Sequence, residues 1–178
     1  MYIIMNIVLS ESNFNIDNIY FTEPIVNTIM DNSMFIKIIY SNKLITLNGL
    51  YLTMDIRVDH SELYFKKIKY TYDLKNSHNH SIINNLYSIE SSILDKHTSS
   101  NLKTKKYILH DTLKTGMIKI FPNQPNIHNN LFNTPLSTTN NSHNQSNNHK
   151  HPSEFILKIS GIWENDTEYG ITYKLSTS

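Results

Sequence analysis

The chain of 178 residues contains no cysteine and no alanine, a single arginine at Arg57, and four glycines. The absence of cysteine excludes disulfide bonds and any cysteine-ligated metal or redox site. None of the glycine-dependent phosphate-binding or nucleophile-elbow motifs occurs. The sequence also lacks a run of about 18 apolar residues, so we expect no transmembrane helix and no membrane partner.

Isoleucine, asparagine, lysine and tyrosine are abundant instead, which is typical of a protein encoded by an AT-rich genome. Hydrophobic residues make up 39% of the chain, which is lean but sufficient for a core at this length. The length fits one domain, so we predict a single β-rich domain over residues 1–178.

The segment from about 122 to 152 consists almost entirely of Asn, His, Ser, Thr, Pro and Gln. Such a composition offers too little apolar surface to offset chain entropy, so we predict a disordered, low-complexity loop. A strongly patterned segment follows it, and we therefore interpret the loop as an insertion before a final hairpin.

Alternating apolar and polar residues predict strands along most of the remaining chain, most clearly over residues 50–58. Further strands are predicted at 34–40, 63–74, 107–109, 117–121, 155–163 and 169–175. The apolar spacing of Ile82, Leu86, Ile89 and Ile93 predicts one amphipathic helix at about 81–95. The predicted fold class is mainly β, an OB-like barrel or a sandwich, with other β-barrels left open because the strands number more than five.

Metal binding and catalysis find little support in the sequence. The pairs His78-x-His80 and His149-x-His151 have ligand-like spacing, but they lie in polar stretches that offer no complete ligand set. The carboxylates are scattered along the chain. We therefore predict no metal, no cofactor and no enzymatic activity.

The charge distribution is more informative than the net charge of +1. The first 35 residues carry four acidic residues and no basic one, whereas residues 36–119 carry thirteen basic and seven acidic residues. The basic part contains two segments, LYFKKIKYTYDLK at 63–75 and NLKTKKY at 101–107. Lysines that contact phosphates beside rings on which bases stack are the elements of single-strand nucleic-acid binding.

The predicted nucleic-acid-binding residues are Tyr64, Lys66, Lys67, Lys69, Tyr70, Tyr72, Lys105 and Lys106. In a single strand, Tyr64, Lys66, Tyr70 and Tyr72 would share one face, and Phe65, Lys67 and Lys69 the other. The same residues also suit an exposed strand with no ligand, because tyrosine favours strands and lysine protects strand edges.

Two stretches resemble small, largely uncharacterised proteins of the nucleocytoplasmic large DNA viruses, the giant viruses. The matching residues are Phe35, Ile38, Tyr40, Ser41, Leu47, Asn48 and Gly49 in one stretch, and Ser160, Gly161, Trp163, Glu164, Tyr169, Gly170 and Tyr173 in the other. Such proteins look like phage-type OB-fold single-stranded DNA-binding proteins. That resemblance implies coating of single-stranded DNA in viral replication, and a homodimer. The chain departs from the family at its C-terminus, which has no acidic tail ending in an aromatic residue.

The sequence therefore predicts a non-catalytic protein that binds single-stranded nucleic acid inside the host cell, in a viral replication compartment or in the virion. The alternative is a viral structural or assembly protein, a β-sandwich that binds other proteins and has no nucleic-acid role. A dimeric interaction module is a third hypothesis.

Overall fold

The structure, a computed structural model, describes residues 8–97, 103–121 and 154–177. These residues form a mainly β fold, which confirms the predicted class at that level. The predicted loop at about 122–152 lies outside the described residues. Neither helix of the described part combines the length and apolar character needed to cross a bilayer.

The described residues form strands and helices in the following order. The strands are β1 (Leu9–Ser10), β2 (Ile19–Phe21), β3 (Ile25–Val26), β4 (Met34–Ser41), β5 (Thr46–Leu47), β6 (Leu50–Met54), β7 (His60–Tyr64), β8 (Lys67–Thr71), β9 (Thr104–Lys106), β10 (Met117–Ile120), β11 (Phe155–Glu164) and β12 (Glu168–Thr177). The α-helices are α1 (Ser77–Lys96) and α2 (Ile108–Leu113), and short 3-10 turns cover Glu11–Asn13 and Ile16–Asn18.

Strand β11 lies at the centre of a nine-stranded sheet. It pairs with β12 along one side, and on the other side with β6 over its first half and with β4 over its second half. The pairing of β11 with β12 confirms the predicted final hairpin. The longest path through the sheet runs from β1 to β9 without returning on itself, so the sheet is open. The expected OB-like barrel is therefore not confirmed.

The register of β11 shifts at a bulge between Ile159 and Gly161. A Cβ placed on Gly161 would lie 2.6 Å from the Phe35 ring and would also meet the Ile36 carbonyl oxygen. Only glycine leaves room for β4 at this point. The bulge allows β11 to exchange β6 for β4 as its neighbour while Ile159 and Ile162 both stay buried.

Helix α1 contributes an apolar stripe that includes Ile82, Leu86 and Ile93 to the core that the large sheet also lines. The predicted helix at about 81–95 is confirmed, but it begins earlier, at Ser77. The Asn76 side chain accepts hydrogen bonds from the backbone N–H groups of His78 and Asn79 and caps the helix. The spacing of apolar residues indicates only the part of a helix that has a buried stripe. It therefore did not predict the first turn of α1, which consists of polar residues.

Two predicted strands are wrong. Residues 63–74 are not one strand, because β7 and β8 form a hairpin whose two-residue turn is Phe65 and Lys66. Residues 107–109 do not form a strand. The chain instead enters α2 after Tyr107, and β10 pairs with β8 in a three-stranded sheet of order β10-β8-β7.

Candidate nucleic-acid interface

The three-stranded sheet has one buried face and one open face. Tyr70 of β8 and Ile118 and Ile120 of β10 point inward, and the Tyr70 ring packs edge-on against Phe155 with centroids 5.2 Å apart. Because side chains alternate along a strand, the neighbours of these residues point to the other side. We call this other side the outer face.

Cross-strand register arranges the outer face in rows. One row places Lys67 of β8 between Tyr64 of β7 and Phe121, which follows β10 directly. The next row is Glu62, Lys69 and Lys119. The outer face therefore brings three lysines and two aromatic rings together on adjacent strands.

Cations and rings on the outer face are in direct contact. The Lys67 Nζ lies 4.6 Å from the Phe121 ring centroid, and the Lys119 Nζ lies 4.9 Å from that of Tyr64. Both distances are within the range of a cation–π interaction. Tyr64 is 45% exposed and Phe121 is 62% exposed, so each ring also offers surface to a ligand.

One lysine of the outer face is already paired. The Lys69 Nζ donates a 2.8 Å hydrogen bond to Oε1 of Glu62. This hydrogen bond, together with the charge of Lys69, lowers the pKa of Glu62 below its ordinary value. Glu62 therefore stays ionised at neutral pH and competes with any phosphate for Lys69.

The predicted tyrosines do not all reach the outer face. Tyr70 and Tyr72 are each 5% exposed, and the Tyr72 hydroxyl donates a 2.7 Å hydrogen bond to the Leu113 carbonyl oxygen. Burial raises the pKa of both phenols. Their rings belong to the core and present no face to solvent. The prediction that Tyr70 and Tyr72 stack on bases is therefore corrected.

The predicted lysines fall into three groups. Lys67 and Lys69 lie on the outer face, and exposed Lys66 lies in the β7–β8 turn. Lys105 and Lys106 belong to β9, at the edge of the large sheet. Both are ion-paired there, Lys105 with Asp95, and Lys106 with Glu168 at 2.8 Å. The Asp95 hydrogen bond raises the pKa of Lys105, and the Lys105 hydrogen bond lowers that of Asp95. The β9 lysines therefore do not join the outer face.

Lys119 and Phe121 were missed as site residues. Residues 117–121 were predicted to form a strand, and alternation alone places Met117, Lys119 and Phe121 on one face of it. What the sequence did not reveal was the partner, since β10 pairs with β8 across 45 intervening residues. The correct pairing would have placed both residues beside Lys67 and Lys69.

A second polar cluster joins Glu164 to His97 and Lys103. The His97 Nε2 lies 2.6 Å from Oε2 of Glu164, and the Lys103 Nζ bonds Oε1. Burial by itself raises the pKa of Glu164, but the hydrogen bonds and charges of Lys103 and His97 outweigh burial and lower it. The cluster lines a cavity of about 590 Å³. It also links the C-terminal end of α1, at His97, to the C-terminal end of β11, at Glu164.

The structure describes only one of the two histidine pairs that the sequence suggested as metal ligands. His78 bonds Asp55 through Nε2, and His80 bonds the Asn84 side chain, both from the first turns of α1. The described residues contain no group of three or more His, Asp or Glu side chains that could hold a metal ion. His149 and His151 lie outside the described residues.

Comparisons with known proteins identified no relative of this chain. No protein-family model, curated protein or solved structure matches the chain. The resemblance to giant-virus and phage-type single-stranded DNA-binding proteins therefore stays a prediction.

Proposed function

We propose that the protein binds single-stranded nucleic acid through the outer face and performs no catalysis. One observation carries this proposal. Three lysines and two exposed rings, Tyr64 and Phe121, share one open sheet face and alternate in space. Cations beside exposed rings suit a ligand that has both phosphates and flat bases.

The geometry suggests how a strand of nucleic acid would lie. Adjacent strands of a sheet are about 4.8 Å apart, so Tyr64 and Phe121, two strands apart, are separated by about 10 Å. That distance suits a path across the sheet in which each ring stacks on a different base. Lys67, between the rings, would contact the intervening phosphate, and Lys119 the next one. Each stacked base would contribute about 1–3 kcal/mol.

The expected affinity is moderate. Glu62 neutralises Lys69, which leaves two lysines on the outer face without an ion pair among the described residues. For a single strand each phosphate contact contributes about 0.7 to the slope of log K against log salt concentration. Two contacts therefore predict a slope of about −1.4, with stacking as the larger contribution.

The proposal is tested by fluorescence titration of a labelled oligothymidine at low and high salt. The variant Lys67→Gln with Lys119→Gln should bind weakly and lose most of the salt dependence. Lys105→Gln with Lys106→Gln removes the same charge from β9 and serves as the matched control, which should bind like the parent protein. If the parent protein does not bind at low salt, or if the two double variants behave alike, the proposal is wrong.

The biological setting rests on the resemblance. It implies that the ligand is single-stranded DNA of a replicating viral genome and that the protein acts in the replication compartment or the virion. The alternative function, a structural or assembly protein, is favoured by one observation: Ile25, Val26 and Ile29 are 60%, 73% and 95% exposed. Exposed apolar residues close together are typical of a protein-binding surface.

A further inference from the structure

The large sheet carries a second row of cations beside an aromatic ring. Cross-strand register places Lys158 of β11 directly between Tyr51 of β6 and Lys174 of β12. Leu157 and Ile159, which flank Lys158 on β11, are fully buried, so side-chain alternation points the row away from the core. We call Tyr51, Lys158 and Lys174 the lysine row.

The two lysines of the row face each other without a counter-charge. Lys158 and Lys174 are directly opposite on antiparallel strands, where like charges destabilise the pairing. Neither takes part in an ion pair among the described residues. The Lys158 Nζ lies 5.0 Å from the Tyr51 ring centroid, a cation–π distance that keeps its charge on the row. An anionic group between the two lysines would relieve their repulsion.

A groove of about 590 Å³ connects the lysine row to the outer face. Lys174 of β12 and Lys119 of β10 both line it. Both of these strands have an open edge. Strand β10 is the last of its sheet, and past Gly170 β12 has no strand on the side away from β11 within the described ranges. We call this groove the edge groove. Because Lys119 belongs to the outer face and to the edge groove, the two surfaces are continuous.

The charge along the edge groove favours an anion. Its lining residues include the basic Lys119 and Lys174 and the acidic Asp111. The Asp111 carboxylate is paired with Lys114 at 3.2 Å, whereas neither lining lysine has an ion pair in the part of the chain that the structure describes. The surface from the outer face to the lysine row therefore keeps a net positive charge.

We propose that a bound nucleic-acid strand continues from the outer face through the edge groove to the lysine row, where Lys158 and Lys174 contact two further phosphates. This inference rests on the proposed function and extends its site. A short oligonucleotide occupies the outer face alone, whereas a longer one passes round the edge of β12 and contacts both sheets.

The test compares oligothymidines of about 4 and about 12 nucleotides, which span most of the usual site sizes of single-strand-binding domains. The short one should show the slope of about −1.4 expected for two phosphate contacts, and the long one about −2.8 for four. Lys158→Gln with Lys174→Gln should return the long oligonucleotide to about −1.4 and lower its affinity about ten-fold at 200 mM salt. The same variant should bind the short oligonucleotide like the parent protein.

The control is again Lys105→Gln with Lys106→Gln, which removes the same charge and should leave both oligonucleotides unaffected. If the Lys158 and Lys174 variant binds the long oligonucleotide like the parent protein, the extension is wrong and the outer face stands. Equal weakening of the short and long oligonucleotides by that variant would also overturn the extension. If Lys67→Gln with Lys119→Gln leaves binding of the short oligonucleotide intact, the proposed function itself is refuted, and this inference with it.

Discussion

Replacing Glu62 by Gln should strengthen nucleic-acid binding. The substitution keeps the size of the side chain and removes the carboxylate that holds Lys69 at 2.8 Å. Because the Glu62 side chain is 45% exposed and its ion pair is screened by solvent, losing the pair should cost the fold little. Lys69 is then free to contact a third phosphate beside Lys67 and Lys119.

The size of the gain follows from counterion release. One added contact contributes about 0.7 to the salt slope, so affinity should rise about eight-fold at 50 mM salt and about three-fold at 200 mM. The assay is the oligothymidine titration over that range of salt, with the slope compared to that of the parent protein.

Glu168→Gln is the matched control for this prediction. It removes one carboxylate and frees Lys106, which is also 2.8 Å from its partner but lies on β9. If the outer face is the binding site, the control should leave affinity and slope nearly unchanged. An equal gain in both variants would show that only the total charge matters, and no gain in Glu62→Gln would refute the role of Lys69.

Three further predictions concern the fold. Glu164→Gln should lower the free energy of unfolding at neutral pH, because folding lowers the pKa of Glu164. The stabilisation from the ionised carboxylate is present above about pH 4.5 and is lost as the pH falls through the folded-state pKa. Denaturation curves of the two proteins should therefore converge in acid. Gly161→Ala should cost about 1–3 kcal/mol, because the added Cβ meets the Phe35 ring; an unchanged urea midpoint would contradict this. Tyr72→Phe should cost about 1 kcal/mol through loss of the hydrogen bond to Leu113, and should not change oligothymidine affinity, because the ring lies in the core.

Local patterns predicted the elements whose partners are close in sequence. The apolar spacing from Ile82 to Ile93 gave α1, and alternation on both sides of the turn at Asn165 gave the β11–β12 hairpin. Both elements depend on contacts within a helix or across one short turn. The sequence alone therefore carries most of the information they need.

Pairing across long stretches of chain could not be predicted in this way. Phe65 and Lys66 have none of the glycine or asparagine that marks a tight turn, so residues 63–74 looked like one strand. Once the chain turns there, Lys66 leaves the strand faces altogether. Tyr70 faces the core because its ring packs against Phe155 of β11, and Tyr72 because its hydroxyl bonds the Leu113 carbonyl oxygen of α2. Neither partner is indicated by the local sequence.

An NMR titration with a short oligothymidine tests the central claim most directly. If the outer face binds the strand, the backbone amide signals that shift should belong to β7, β8 and β10 and include those of Tyr64, Lys67 and Lys119. The signals of Lys105 and Lys106 should stay in place. Shifts centred on β9, or no shifts at low salt, would contradict the account.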